Sequence, residues 1–404
     1  MPDSTVPDST AAAQADDAFG ANLYQRLAAG TAGNLIFSPV SISAALQLAL
    51  MGARGETAAQ LAAAMQLAGP DDAADGLRLL SAGLARLGGG DVTCRAPNTM
   101  WLQAGFALRP EFTSALAGLA GAVVRDPVVR ETDFAGAPQR ARLEINAAIA
   151  EQTAGKIADL LGPAAVDRLT RLVLASAVYL KAAWAQPFPA AATAGAPFYP
   201  DPGGPGSGDA APSGPGAGGP VEVPMMQGTA SLGYLRGAGY QAVTVPYAGG
   251  LLAMAVVVPD GPLGPLEETL AGGGVRGLLA GVTPQRVRLA LPRFRVTAGF
   301  SLVPVLKSLG VTAAFDLKQA DFTGLSPERP LAIAAVAHKA FIDVDEHGTE
   351  AAAATAVGIA RPTAVRQERP PIVVTADRPF LFAISDAAAG WPLFLGRVTN
   401  PLAP

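Results

Sequence analysis

The chain of 404 residues is poor in the side chains that most often carry catalysis or bind metals: it has one cysteine, Cys94, and two histidines, His338 and His347. A single cysteine excludes an internal disulfide framework, and two isolated histidines give no metal-ligand spacing. There is no G-x-S-x-G elbow, and glycine runs such as Gly272–Gly274 lack the strand–glycine–helix setting of a phosphate loop. We therefore expect no enzymatic activity, no metal site and no cofactor.

Charge is also scarce. Only 15% of the residues are charged, and the net charge of −4 provides no basic field for nucleic acid. No apolar run approaches the about 20 residues needed to span a bilayer. The first residues have neither a basic n-region nor an apolar h-region, so no signal peptide is indicated. The sequence predicts a cytoplasmic protein that binds neither nucleic acid nor membrane, with an extracellular location as the alternative.

Apolar residues are plentiful, at 50%, and suffice for one large domain or for two to three ordinary ones. Residues 1–15, rich in Pro, Asp, Ser and Thr, are predicted to be a disordered tail. The segment 200–220 consists almost entirely of Gly, Pro, Ser, Ala and Asp and cannot bury a core. We interpret it as a flexible insertion within a single domain, 16–404; a linker between two domains is the alternative.

Helical patterns fill the first half of the chain, and strand patterns fill the second. Ser38 caps and Pro39 begins a helix that ends at Gly52. Further helices are predicted from Asp16, over Glu56–Met65, near 73–87, over Leu143–Gln152 and over Leu302–Leu309. Strands are predicted over Val92–Gln103, Leu172–Leu180, Ala242–Pro246, Leu252–Val258, Arg286–Leu291, Ile372–Thr375, Phe380–Ile384 and Leu393–Val398. This order is typical of an α+β fold.

Small residues dominate the stretch from Glu346 to Val365, EHGTEAAAATAVGIARPTAV. Read with a period of two, it has an uncharged face suited to burial in a sheet: Thr349, Ala351, Ala353, Thr355, Val357 and Ile359. The other face suits solvent and consists of Glu350, Ala352, Ala354, Ala356, Gly358 and Ala360. Gly348 is a plausible pivot, and Arg361-Pro362 stops regular structure. An alanine-rich surface loop is the alternative.

This stretch resembles the hinge and reactive-centre loop of the serpins, the suicide protease inhibitors, over 346–370. Matching segments run through nearly the whole chain: NLIFSPVSISAAL, INAAIAEQTAGKIADLL, LVLASAVYLKAAW, VPMM, LPRFRV, HKAFIDVDEHGTEAAAATA, DRPFLFAI and FLGRVTNP. Because their order and spacing are specific, the chain is identified as a bacterial-type serpin with an inhibitory hinge. The resemblance implies one domain with a large central, mostly antiparallel sheet, further sheets, a helical N-terminal half and an exposed loop.

The resemblance also implies a shutter, a polar cluster beneath the central sheet. Its members here are Ser38, Ser41, Ser176 and His338, although the family usually has an asparagine at the position of Ser176. Serine offers one donor and two acceptors but is shorter, which leaves the tightness of the closed sheet open. His338 as a general base would lack a nucleophile, so a buried histidine with hydrogen-bond partners is the favoured interpretation.

At the breach, where the loop first enters the sheet, the resemblance places Trp184, Arg293 and Glu346. An Arg293–Glu346 ion pair would hold the base of the loop; two unconnected surface charges are the alternative, and such pairs contribute little. The hinge comprises Glu346, Gly348, Thr349, Glu350, Ala351, Ala352, Ala353, Ala354 and Thr355.

The function implied is inhibition of a serine protease, or alternatively a cysteine protease, by a monomer that forms a covalent complex. The family's spacing from Glu346 places the scissile bond at Pro362–Thr363, within a window of Arg361, Pro362, Thr363 and Ala364. A non-inhibitory serpin acting as carrier or chaperone is the first alternative, and an α/β hydrolase is the second.

Overall fold

The computed structural model describes residues 9–87, 92–119, 128–200, 219–350, 370–388 and 390–403. The α-helices are α1 Ser9–Ala29, α2 Pro39–Gly52, α3 Gly55–Met65, α4 Pro70–Leu87, α5 Pro110–Ala117, α6 Pro138–Gln152, α7 Gly264–Leu279 and α8 Val303–Ser308. The strands are β1 Leu35–Phe37, β2 Val92–Arg95, β3 Asn98–Gln103, β4 Val129–Thr132, β5 Leu172–Ala183, β6 Ala194–Phe198, β7 Val221–Gly237, β8 Tyr240–Pro246, β9 Leu252–Pro259, β10 Thr283–Pro292, β11 Phe294–Ser301, β12 Ile333–Val344, β13 Gly348–Thr349, β14 Ile372–Thr375, β15 Phe380–Asp386 and β16 Pro392–Val398. The predicted α+β fold class is confirmed, although strands β1 to β6 lie in the first half of the chain and α7 and α8 in the second.

The N-terminal helix is longer than predicted. It begins at Ser9, so the prediction of disorder over residues 1–15 is wrong for 9–15, while residues 1–8 lie outside the described residues. Three consecutive alanines at 11–13 favour helix more strongly than any other residue type, and Ala13 is fully buried. Helix propensity and burial therefore outweigh the polar composition on which the prediction rested.

Helix α2 lies at the centre of the molecule, with every residue from Pro39 to Gly52 buried. The Ser38 side chain accepts a hydrogen bond from the Ser41 backbone N–H at 3.2 Å, which satisfies one of the free donors at the helix start. At the other end, a β-carbon on Gly52 would lie 2.7 Å from the Leu325 β-carbon, so a larger residue would displace that contact. The predicted bounds of this helix are confirmed.

Within the described ranges the strands form two sheets of nine and seven strands. The larger has the order β1-β16-β15-β9-β8-β7-β10-β14, with β6 also paired to β7, and the smaller, the central sheet, has the order β11-β12-β13-β5-β3-β4, with β2 also paired to β5. The predicted single strand Val92–Gln103 is in fact β2 and β3, because Pro97 has no N–H to donate between them.

Strands β5 and β12 form a fork in the central sheet. They pair in parallel from Ile333↔Leu172 to Phe341↔Tyr179. Beyond that pair they separate, and the two residues of β13 lie between them, antiparallel to both. The sheet is therefore closed along most of β5 and open only at the end where β13 enters.

The low-complexity segment joins two neighbouring strands. Residues 201–218 lie outside the described residues, but the flanking strands β6 and β7 pair directly, with Phe198 opposite Val221. The chain thus leaves and re-enters the same sheet at adjacent positions. No helix in the described part of the chain is long and apolar enough to cross a bilayer.

Candidate functional site

The hinge begins inside the central sheet. Gly348 pairs with Ala183 and Thr349 with Ala182 on β5, while Thr349 also pairs with Val344 on β12. Gly348 has φ +151°, and a β-carbon there would lie 2.1 Å from the Ala182 carbonyl oxygen. Both the backbone conformation and the space therefore require glycine at the residue predicted to be the pivot.

The Thr349 side chain points into the protein core and is fully buried. Its hydroxyl shares a 2.6 Å hydrogen bond with the Tyr247 hydroxyl. Burial raises the pKa of Tyr247, so this hydroxyl keeps its proton. The Tyr247 ring in turn stacks on Trp184, with ring centroids 4.5 Å apart. Thr349 thus lies in a buried site beneath the sheet, where Tyr247 provides a hydrogen-bond partner for its hydroxyl.

Glu350 points to the opposite face from Thr349, as the period-two pattern predicts, but the expectation that this face meets solvent is wrong for Glu350. Its side chain is only 17% exposed and forms an ion pair with Lys156, in the turn after α6. Its φ is +50°, in the left-handed region that non-glycine residues rarely adopt. The other hinge residues, Ala351, Ala352, Ala353, Ala354 and Thr355, lie outside the described residues, as does the window Arg361, Pro362, Thr363 and Ala364.

At the breach, Arg293 donates two hydrogen bonds to Glu346 Oε1, from Nε at 2.9 Å and from Nη2 at 2.6 Å. Thr193 donates a further hydrogen bond to the same carboxylate oxygen. Burial favours the neutral carboxyl, but the hydrogen bonds from Arg293 and Thr193 outweigh it and lower the pKa of Glu346. The two charges are therefore connected, with Glu346 4% and Arg293 48% exposed.

Trp184 ties the chain before the hinge to the end of β5. Its indole Nε1 donates to the Asp345 carbonyl oxygen at 2.9 Å, and its backbone N–H donates to the His347 carbonyl oxygen at 2.8 Å. The Phe188 N–H donates to the Glu346 carbonyl oxygen at 2.9 Å. Three consecutive carbonyl groups are thus satisfied, which holds the segment before Gly348 in one position.

The shutter residues form a continuous chain of hydrogen bonds. The Ser38 N–H donates to His338 Nε2 at 3.0 Å, so Nδ1 carries the proton and donates to Ser176 Oγ at 3.0 Å. Ser176 Oγ lies 2.9 Å from Ser41 Oγ, which donates to Asn98 Oδ1 at 3.1 Å. All five residues are buried. His338 is therefore a buried histidine with both nitrogens paired.

Asn98, on β3, brings an amide group into the cluster beside Ser176. It is the cross-strand neighbour of Ser176, so its amide enters the same cluster from the adjacent strand. The chain from Ser38 to Asn98 is complete without an asparagine at 176. Sequence reasoning missed Asn98, although an asparagine inside a predicted strand is unusual enough to be a signal. It also missed Tyr247, Lys156 and Thr193, whose contacts with the hinge no local pattern indicates.

Protonation of His338 is expected to destabilise the folded protein. Burial lowers its pKa from 6.5 to about 3, so the folded state stays neutral where the unfolded state binds a proton. Stability from this group is therefore complete above pH 6.5 and is lost progressively as the pH falls towards 3. His338→Gln should lower the free energy of unfolding by about 1–3 kcal/mol at pH 7.5, through the buried groups it leaves unpaired.

The difference in the free energy of unfolding between wild type and His338→Gln should be smaller at pH 4.5 than at pH 7.5, because only the wild type loses stability when His338 is protonated. Urea unfolding of both proteins at pH 7.5 and at pH 4.5 measures this difference. Other titrating groups are common to both proteins and cancel in the comparison. A difference that does not change with pH would contradict the assignment of His338 as a neutral, buried shutter residue.

The chain is similar to known proteins along nearly its whole length. A family model described as Serpin (serine protease inhibitor) matches residues 14–401. An uncharacterised serpin-like protein of the archaeon Thermococcus kodakarensis is 38% identical over 390 residues, which cover 95% of this chain and 84% of that protein. Leukocyte elastase inhibitor of Bos taurus is 33% identical over 381 residues, covering 92% and 94%. The crystal structure of Serpin48 from the insect Tenebrio molitor matches with a TM-score of 0.81 at 28% identity, covering 98% of this chain and 99% of that one.

Proposed function

The chain belongs to the serpin family, whose members are non-enzymatic inhibitors or carriers, and we propose that it inhibits a serine protease as a suicide substrate. The protease attacks the reactive-centre loop, and its serine forms an acyl-enzyme with the new carboxyl end. The cut loop then enters the central sheet as a strand before the ester is hydrolysed. The chain supplies the peptide bond that the protease attacks and the conformational change that follows. A cysteine protease is the alternative target.

The position of Thr349 carries this proposal. The hinge already lies between β5 and β12 with Thr349 buried, while the same two strands pair directly below it. Residues that follow Thr349 can extend β13 only by replacing that parallel pairing with two antiparallel ladders. The uncharged face from Ala351 to Ile359 would then be buried, in register with Thr349.

The composition of the hinge favours an inhibitor over a carrier or chaperone. From Gly348 to Thr355 it has no proline and no bulky side chain, and its only charge, Glu350, is on the face away from the core. Leukocyte elastase inhibitor, among the relatives, is named for protease inhibition. The α/β hydrolase alternative is wrong, because the family is non-enzymatic.

Incubation with a panel of serine proteases tests the proposal. An inhibitor gives a covalent complex that survives boiling in detergent, whereas a non-inhibitory serpin is either untouched or simply cleaved. Cysteine proteases in the same panel test the alternative target. Cleavage of the loop by every protease, with no complex in any case, would contradict suicide inhibition.

The scissile bond is expected within Arg361–Ala364, at Pro362–Thr363. The Arg361–Pro362 bond should resist trypsin-like enzymes because proline follows, and a cut after Arg366 leaves a longer loop whose insertion is slower. We therefore expect a protease that accepts small or prolyl residues, of the elastase or subtilisin type. N-terminal sequencing of the fragment released from the complex should begin at Thr363. A start at Gln367 in a stable trypsin complex would instead make Arg366 the bait, and Arg366→Ala would then abolish that complex.

A further inference from the structure

Four side chains meet where β5 and β12 separate. Phe341 of β12 and Tyr179 of β5 form the last parallel pair before the fork. Lys156 Nζ lies 5.4 Å from the centroid of the Phe341 ring, a cation–π contact, and forms an ion pair with Glu350. Burial, and then the negative charge of the nearby Glu350, raise the pKa of Tyr179 to about 12. We call Lys156, Tyr179, Phe341 and Glu350 the fork cluster.

Lys156 is presented by a defined turn. The Thr153 hydroxyl donates to the Ile149 carbonyl oxygen at 2.7 Å, at the end of α6, and accepts from the Ile157 N–H at 3.3 Å. Ala154 and Gly155 both have positive φ, +54° and +78°, and turn the chain back over the sheet. The turn therefore aims the lysine at the fork, although its side chain is 39% exposed.

Glu350 is held in a conformation that an inserted strand cannot have. Its φ of +50° departs from the extended backbone of a strand, and β13 ends at Thr349. One of its carboxylate oxygens, Oε2, is buried without a hydrogen-bond partner, while Oε1 faces Lys156. An unpartnered carboxylate oxygen and a left-handed backbone both cost free energy; the ion pair with Lys156 and the 2.8 Å hydrogen bond from the Glu350 N–H to the Asp343 carbonyl oxygen both help to offset that cost.

We propose that Lys156 is a positioning residue that holds the fork closed through Glu350 and Phe341 and thereby sets the rate at which the reactive-centre loop inserts. The inference rests on the proposed function, because insertion is the step it controls. For the strand to grow beyond Thr349, Glu350 must become extended and Phe341 must separate from Tyr179. Both movements disturb contacts that Lys156 makes with these two residues. Removing the lysine charge should therefore accelerate insertion.

Uptake of a loop peptide tests this without a protease. A fluorescein-labelled peptide with the sequence of residues 351–360, AAAATAVGIA, matches the strand that would follow Thr349. Its rate of incorporation is followed by fluorescence anisotropy and native gels. Lys156→Met keeps the length of the side chain and removes its charge, and should speed uptake about fivefold, which corresponds to about 1 kcal/mol.

Further variants separate the fork contact from a general loss of charge or fold. Lys156→Arg should keep the wild-type rate, and Lys307→Met, which removes an exposed charge on α8, should also leave it unchanged. Glu350→Gln should speed uptake, and adding Lys156→Met to it should have little further effect. Unfolding midpoints of all variants show whether the fold is retained.

Equal or slower uptake by Lys156→Met, or no uptake by any variant, would overturn the role of Lys156. Such a result, together with a detergent-stable protease complex, leaves the proposed function intact. Faster uptake by Lys156→Met without any protease complex would support the fork cluster while removing inhibition as the function.

Discussion

Replacing Thr349 with arginine is expected to turn the protein from an inhibitor of its target protease into a substrate. Thr349 lies in the sheet with its side chain in the core, in a site that fits a hydroxyl bonded to Tyr247. An arginine there would bury an unpaired charge, at a cost of several kcal/mol, so the hinge would be expelled and insertion would slow. Acylation takes place on the distant part of the loop and would keep its rate.

The measurement is the partition between covalent complex and cleaved inhibitor, with the second-order rate of protease binding determined in parallel. Thr349→Ser, which keeps the hydroxyl for Tyr247, serves as the control and should still trap protease. If Thr349→Arg traps protease with unchanged stoichiometry, the register in which Thr349 leads the strand into the sheet is incorrect.

Cleavage of the loop should raise the midpoint of thermal unfolding by about 20 °C. A strand added between β5 and β12 replaces one ladder of backbone pairs with two, a net gain of roughly 10 hydrogen bonds at about 1 kcal/mol each. For a chain of this size, each kcal/mol shifts the midpoint by about 2 °C. Intact and nicked protein are compared by calorimetry, with the nick made by a protease that cuts within residues 361–366.

Nicked Thr349→Arg, measured directly after cleavage, is the matched control for this experiment, because it carries the same cut but should insert more slowly. Its midpoint should stay near that of the intact protein. Equal midpoints for intact and nicked wild type would mean that the loop remains outside the sheet after cleavage. That outcome would favour a non-inhibitory serpin.

Features that depend only on residues close together in the chain could be predicted from the sequence. Ser38, Pro39 and Gly52 mark the start and end of α2, and the predicted strand Ile372–Thr375 has the same bounds as β14. The alternation at Thr349 and Glu350 correctly assigned them to opposite faces. Each of these features depends on capping, backbone propensity or side-chain period, which act over a few residues.

Other predictions failed because the deciding partner is far away in the chain. The composition of residues 1–15 suggested disorder, yet burial of Ala13 against the core helps to keep the helix from Ser9 onwards. The sequence pattern predicts that Glu350 faces solvent, because nothing near it in sequence indicates Lys156, which lies in the turn after α6. A local sequence pattern predicts which face of a strand a side chain is on, but not which distant residue it contacts.

The sequence by itself determined the α+β fold and the family, and it predicts the position of the hinge and the two faces of the segment that follows. Only the tertiary structure decided that Thr349 is already in the sheet, that Asn98 joins the polar cluster from β3, and that Lys156 contacts both Glu350 and Phe341. The physical reason is that chain geometry sets periodicity and caps residue by residue. Burial, hydrogen-bond partners and ion pairs arise only when strands and turns distant in sequence are brought together.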